Sequence, residues 1–141
     1  MPSIVSYRQY ITAEITRTLR LPEDPDTRQS LGTELATLAN GLTYVSLPDG
    51  AKLPTEQPPE IAASIVNPVM LTTALRNDLK RASPHVQLIN QRIRDRIGAQ
   101  YSVHDEIQML RTAPSAEAVA YNAHVEACRD WGRGEKAALG L

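Results

Sequence analysis

The sequence predicts a mainly α-helical fold, a small helical domain with one short β-hairpin in its N-terminal part. Three observations carry that expectation. Apolar residues recur at helical spacing beside dense charge along the C-terminal half, prolines sit where helices would begin, and Phe is absent, leaving five Tyr and one Trp as the aromatics. A core without Phe draws on Leu, Ile, Val, Ala and Met, which suits helix packing better than a sandwich of aromatic and β-branched side chains.

The first elements follow from spacing and caps. Tyr7, Ile11, Ile15 and Leu19 stand four residues apart, and Ser6 with Gln9 is spaced as a capping box, so a first helix is expected to end near Arg20. Pro22 and Pro25 interrupt the pattern. Asp26 with Gln29 repeats the box ahead of Leu31, Leu35 and Leu38, and Asn40 with Gly41 suits the left-handed closure of a second helix. The segment LTYVSLPDGAKLP, residues 42–54, loses helical rhythm and reads as two short strands around Pro48, Asp49 and Gly50. An isolated hairpin is marginal in water, so this one should lean on the helices or pair with another chain. Residues 54–59 form a stiff, proline-bounded connector that divides a subregion at 1–57 from a helical region at 58–141, the two expected to pack as one unit.

Beyond the connector the chain reads as helix throughout. A short helix is expected over 59–66. One over 68–82 carries Leu71, Leu75 and Leu79, with Asn67 and Pro68 as N-cap and first-turn proline. Ser83 and Pro84 start another on Val86, Ile89, Ile93 and Ile97, with Gly98 as its stop. Ser102 caps a helix carrying Ile107 and Leu110, and Ser115 one carrying Ala120, Tyr121, Val125 and Cys128 as far as Trp131; past Gly132 and Gly134 the tail should fray.

Length and composition bound the function. The 141 residues, 42% hydrophobic and 22% charged, suit one globular domain and exclude a wholly disordered chain. A net charge of −1 hides a segregation: residues 22–60 hold seven acids against Arg28 and Lys52, and residues 68–100 hold six bases against Asp78 and Asp95. The two regions can attract each other or face partners of opposite sign. Only three of the fifteen bases are Lys, which reads first as the codon usage of a GC-rich genome and second as a demand for bidentate contacts. Cys128 is alone, so an intrachain disulfide is excluded and a reducing compartment is expected. The N-terminus MPSIVSYRQY does not read as a leader, and no apolar run approaches the roughly 20 residues that span a bilayer, so a soluble protein made inside the cell is expected.

A helix with one apolar stripe is not stable alone, so the stripes must meet other helices of this chain or of a partner, and binding is the first functional expectation. The stretches YSVHDEIQMLR and YNAHVEACRDWGRGEKAALGL give it a context. Over roughly Leu71 to Leu141 the chain resembles small accessory proteins encoded in the tail-gene regions of bacteriophages and prophages, tail-assembly chaperones among them. The resemblance implies a non-enzymatic role with tail proteins as partners, homo-oligomers as a further form, and a location in the host cytoplasm during assembly or in the virion tail. It carries over no functional residue. The candidate partner interface, read from the residues, is Tyr121, Val125, Trp131, Arg92 and Arg96; Trp131 is either an interface anchor or a cap on a core short of aromatics.

Two other readings stand behind this one. Arg76, Lys80, Arg81, Arg92, Arg94 and Arg96 flank Ala82 and Ser83 as in a helix-turn-helix DNA-binding regulator, although Arg92, Arg94 and Arg96 project to different sides and suit a solvated face. A metal-dependent enzyme would need His85, His104 or His124. His104, Asp105 and Glu106 splay around a helix, and His124 with Cys128 supplies two ligands where structural zinc takes four. No nucleophile elbow or phosphate loop is present, so no catalytic, cofactor or metal residue is expected and no membrane or nucleic-acid partner.

Overall fold

A computed structural model of the chain describes residues 2–141. The fold is mixed α/β: 46% of the chain is helical and 17% lies in strands, which overturns the mainly α-helical expectation. The strands are β1 (Ser3–Arg8), β2 (Tyr10–Ile11), β3 (Thr16–Arg17), β4 (Thr33–Thr37) and β5 (Leu42–Leu47); the helices are α1 (Pro59–Ala62), α2 (Thr73–Ala82), α3 (Pro84–Gln100), α4 (Val103–Thr112) and α5 (Ala116–Ala138). The chain divides into two compact units, one of Met1–Val86 with Ala138–Leu141 and one of Gln87–Ala137.

The first unit is organised by an antiparallel sheet in the order β1-β5-β4. In register, Ser3 faces Leu47, Val5 faces Val45 and Tyr7 faces Thr43. Side chains alternate across a strand, so β5 sends Val45 and Leu47 to one face and Tyr44 to the other. Both faces are covered. On one, Val5, Tyr7, Val45 and Leu47 meet Leu19 and Ile61; on the other, Ile4, Leu35 and Tyr44 meet Leu79 of α2. Each such side chain, once removed from water, contributes about 1.5–3 kcal/mol before entropy is counted. The buried polar residues of the central strand are small, and Thr43 shares a 2.7 Å hydroxyl bond with its cross-strand neighbour Thr37.

The two helices expected before residue 41 are therefore strands and turns. A spacing of four is a multiple of the strand period as well as close to a helical turn, so Tyr7, Ile11, Ile15 and Leu19 satisfy both templates. Tyr7 is buried in β1 and Leu19 in the core, whereas Ile11 and Ile15 stand 65% and 43% exposed on the ribbon formed by β2 and β3. Thr12 turns that ribbon, its hydroxyl accepting from the Ile15 amide at 3.0 Å. Asp24 then accepts from the amides of Asp26 and Thr27, a turn in place of the second expected helix start. Asn40 and Gly41 close the β4-β5 hairpin: the Gly41 amide donates to the Leu38 carbonyl at 2.9 Å, and Gly41 takes a φ of 80° that glycine adopts without penalty. A bulge between Glu34 and Ala36 puts both Leu35 and Ala36 against the α2 side of the sheet.

The expected hairpin at residues 42–54 is also corrected. Residues 42–47 pair with β1 and β4, and the turn whose Ala51 amide reaches the Pro48 carbonyl at 3.1 Å leads into irregular chain. That chain is pinned by the Gln57 amide side chain, which accepts from the Arg20 amide at 2.9 Å and donates to the Arg20 carbonyl at 3.0 Å. The helix expected over 59–66 is the short α1, whose Ile61 is fully buried. Val66 bonds in both directions with Ser6, and the Val69 amide donates to the Ile4 carbonyl, so this stretch runs along β1 where a longer helix start was expected. The helix expected from Pro68 begins at Thr73, where the Thr72 hydroxyl accepts from the Leu75 amide at 3.1 Å.

The later helices lie close to expectation. α3 spans residues 84–100, Ser102 and Asp105 form a capping box on α4, and the Ser115 hydroxyl accepts from the Ala118 amide at the start of α5. The frayed tail is corrected, since α5 continues through Gly132 and Gly134 to Ala138.

Two outcomes test this packing. Leu79→Ala should lower unfolding free energy in urea by about 2–5 kcal/mol, the usual cost of a fully buried leucine. The Ser83 hydroxyl is buried without a hydrogen-bond partner among the described residues, so Ser83→Ala should leave stability unchanged or raise it by about 1 kcal/mol; a loss of that size would show that the hydroxyl is satisfied.

Candidate functional site

The five residues expected at a partner surface all lie in the second unit, and the structure brings three of them into contacts of its own. The Arg96 guanidinium sits 3.7 Å from the centre of the Trp131 ring. A cation over an indole face is attracted by the ring quadrupole, and the flat guanidinium also covers apolar surface. Tyr121 meets Tyr101 edge-on, with ring centres 5.0 Å apart and planes at 80°. Burial first and the charge of the Glu106 carboxylate second push its pKa above the ordinary tyrosine value. Both effects favour the neutral phenol. Val125 is half-buried on α5, and Arg92 is exposed on α3.

These contacts form a seam between α3 and α5. Gly132 lies opposite Ile93, and a Cβ there would fall on the Ile93 side chain. Glycine thus lets the two helices approach, which spacing alone had marked as a helix end. Exposed i,i+3 ion pairs, Arg129 with Glu126 at 3.3 Å and Arg133 with Asp130, line the outer face and add little stability each.

The histidine and cysteine of α5 sit in the same seam. His124 donates from Nε2 to the Arg96 carbonyl at 3.1 Å, because a carbonyl can only accept, and the Cys128 Sγ lies 3.7 Å from the same nitrogen. With its hydrogen directed to a carbonyl, that nitrogen does not take the thiol's proton. Tyr101 stacks at a tilt on the His124 ring, 5.5 Å between centres. His85 and His104 are exposed and lie elsewhere on α3 and α4. No group of three or more His, Cys, Asp or Glu is placed to hold a metal ion among the described residues. A cavity of ≈ 440 Å³ lies where α3 meets α4, lined by Arg94, Tyr101, Val103 and Glu106 with predominantly apolar walls.

Some of the bases weighed for DNA are committed to contacts within the chain. Arg81 pairs with Asp78 at 2.8 Å, Arg94 donates to Gln91 at 2.8 Å, and Arg96 covers Trp131.

An apolar surface is left uncovered on α4 and at the start of α5. Val103, Ile107 and Leu110 recur at i, i+4 and i+7 on α4 and are 73%, 47% and 77% exposed, and Val119 at the start of α5 is 66% exposed. The stripe was legible in the sequence; its exposure was not, since periodicity marks an apolar face without saying what meets it. The β2-β3 ribbon adds Tyr10 and Ile11, which sequence reading had placed inside a helix.

Comparison of the chain with known protein families, with curated proteins and with solved structures finds no match in any of the three. No helix among the described residues is long and apolar enough to cross a membrane.

Two measurements check the seam and the α4 cap. Gly132→Ala should lower unfolding free energy by about 1–3 kcal/mol through overpacking, whereas Gly134→Ala, with open space around it, should gain up to about 1 kcal/mol from helix propensity alone. Hydrogen bonds from the Ser102 backbone and then its hydroxyl hold Asp105 below the ordinary aspartate value of 3.8. A depressed folded pKa contributes stability above the unfolded value and loses it as pH falls through the folded one. Helicity of Asp105→Asn should therefore trail that of the parent chain at pH 7 and converge with it as pH falls through the depressed folded value.

Proposed function

We propose that this chain is a non-enzymatic accessory or assembly protein of a bacteriophage tail, binding tail components through the exposed apolar face of α4 and the start of α5. The observation that carries the reading is that face. Val103, Ile107, Leu110 and Val119 stand 47–77% exposed on a capped helix and its neighbour, where water contact is unfavourable and a partner helix or sheet would relieve it. The same residues lie within the stretch that resembles tail-region accessory proteins. The host cytoplasm during assembly, and the tail of the finished particle, are the places such a protein would act.

Recognition would work by burial of apolar area with charge at the rim. His104 and Arg111 flank the stripe on α4, and Arg92 is an exposed cation on α3. The aromatic residues Tyr121 and Trp131 support the surface from inside the seam, so their substitution should act through stability as well as contact.

Ile107→Asp with Leu110→Asp tests the reading. Leu110 is largely and Ile107 about half in water already, so the thermal midpoint should move little, by about 1 kcal/mol or less in equivalent free energy. Co-purification with tail components should fall at least about tenfold, as expected when central apolar contacts are replaced by charge. Retention of the doubly substituted chain on tail complexes at the parent level would overturn the proposal.

A further inference from the structure

Val103 opens the exposed stripe of α4 and also lines the cavity of ≈ 440 Å³ where α3 meets α4, so the apolar face runs into a hollow. Ile97 and Tyr101 line the same hollow, and its volume lies within the roughly 300–1,000 Å³ of clefts that accept a ligand. Gly98 keeps it open. α3 continues past this residue to Gln100, and nothing in the fold demands glycine there: its φ is not positive, and a Cβ would meet no atom within 4 Å. Glycine inside a helix weakens it, and here the missing side chain leaves a wall of the cavity bare.

The charge around this surface has one sign in excess. Arg94 lines the cavity and donates to the neutral side chain of Gln91, while Arg111 is exposed beside the stripe. Neither has an ion-pair partner among the described residues. The acids of α4 are turned to internal contacts. Asp105 accepts from the Ser102 amide at 2.9 Å, and Glu106, which shares the cavity wall, carries its charge close enough to Tyr121 to raise the phenol's pKa.

We propose that the partner segment seated on α4 is an acidic amphipathic helix, one large apolar side chain of which fills the cavity beside Gly98 while its carboxylates meet Arg94 and Arg111. The inference deepens the tail-assembly reading and rests on it for α4 as the docking face. Helices docked side by side interlock through anchors at i, i+4 and i+7, the spacing of Val103, Ile107 and Leu110. A strand added through its backbone needs open amides and carbonyls, which the flank of a helix does not offer. A basic helix would bring like charge against two unpaired guanidinium groups, and an acidic one neutralises them.

Two fluorescein-labelled synthetic peptides of about 18 residues, long enough to hold a helix, serve as probes. Both carry the same leucine stripe with one tryptophan as anchor; one is flanked by glutamate and the other by lysine. The full chain should bind the glutamate peptide at least about tenfold more tightly than the lysine peptide at low salt, and the gap should narrow towards about 1 M salt, where charges are screened. Arg94→Glu with Arg111→Glu should reverse the preference, and both side chains are exposed, so the fold should persist. Gly98→Leu, which adds a side chain in open space at the cavity wall, should weaken the glutamate peptide about tenfold. Equal affinity for the two peptides, no binding of either, or undiminished binding to the Gly98→Leu chain would overturn the proposal. The two readings fail separately. If Ile107→Asp with Leu110→Asp keeps its place on tail complexes while the parent chain prefers the glutamate peptide, the acidic helix stands and the tail falls. If tail binding is lost yet the two peptides bind alike, the α4 face stands and its acidic ligand falls.

Discussion

The burial of β5 on both of its faces is the constraint from which the first unit follows. A strand whose alternate side chains all leave water needs two apolar layers, and two separate parts of the chain provide them. Leu19 and Ile61 close one side; Leu35 and Leu79 close the other. With both layers occupied, the central strand has room for Thr43 and Ser46 only because they are small, and the Thr37 hydroxyl meets that of Thr43. The irregular chain between β5 and α2 is ordered by the same demand. It must return to β1 to deliver Ile61, and backbone bonds at Val66 and Val69 hold it there.

The second unit uses a different economy. Few of its residues are fully buried, and Ile89, Ala118, Cys128 and Gly132 mark where its helices touch. Specificity comes from polar and aromatic contacts that fix the pairing of α3 with α5: Arg96 on Trp131, His124 on the Arg96 carbonyl, Tyr121 between Tyr101 and Glu106. Such contacts orient helices more than they stabilise them. A unit held this way keeps much of its apolar surface outside, Val103, Leu110 and Val119 among it.

The later helices were legible because their caps and prolines left one reading: Ser102 with Asp105, Ser115 and Pro84 each start a helix where expected. The strands were not, because their signals are shared. Four-residue spacing satisfies a strand as well as a helix, Asn40-Gly41 suits a hairpin as well as a helix end, and a strand buried on both faces shows no polar alternation. Of the site, Tyr121, Trp131 and Arg96 stand out in the sequence as candidate interface residues, and no one-dimensional pattern tells whether an aromatic side chain spends itself inside or outside. Ile107 and Leu110 mark an apolar stripe in the sequence, which says that another surface must meet it and not whether that surface belongs to the same chain. Only the arrangement of α3 with α5 leaves it without a cover.

The bonds of Val66 and Val69 to β1 and the bulge at Leu35 in β4 bear on how copies of this chain can meet. Sheets polymerise through open ladders of amides and carbonyls, and here one flank is already capped by its own chain while the other is kinked out of flat register. Strand-by-strand addition, the usual route to fibres, is thereby discouraged at both margins. Association is left to side-chain surfaces, which stop growing when their apolar area is covered.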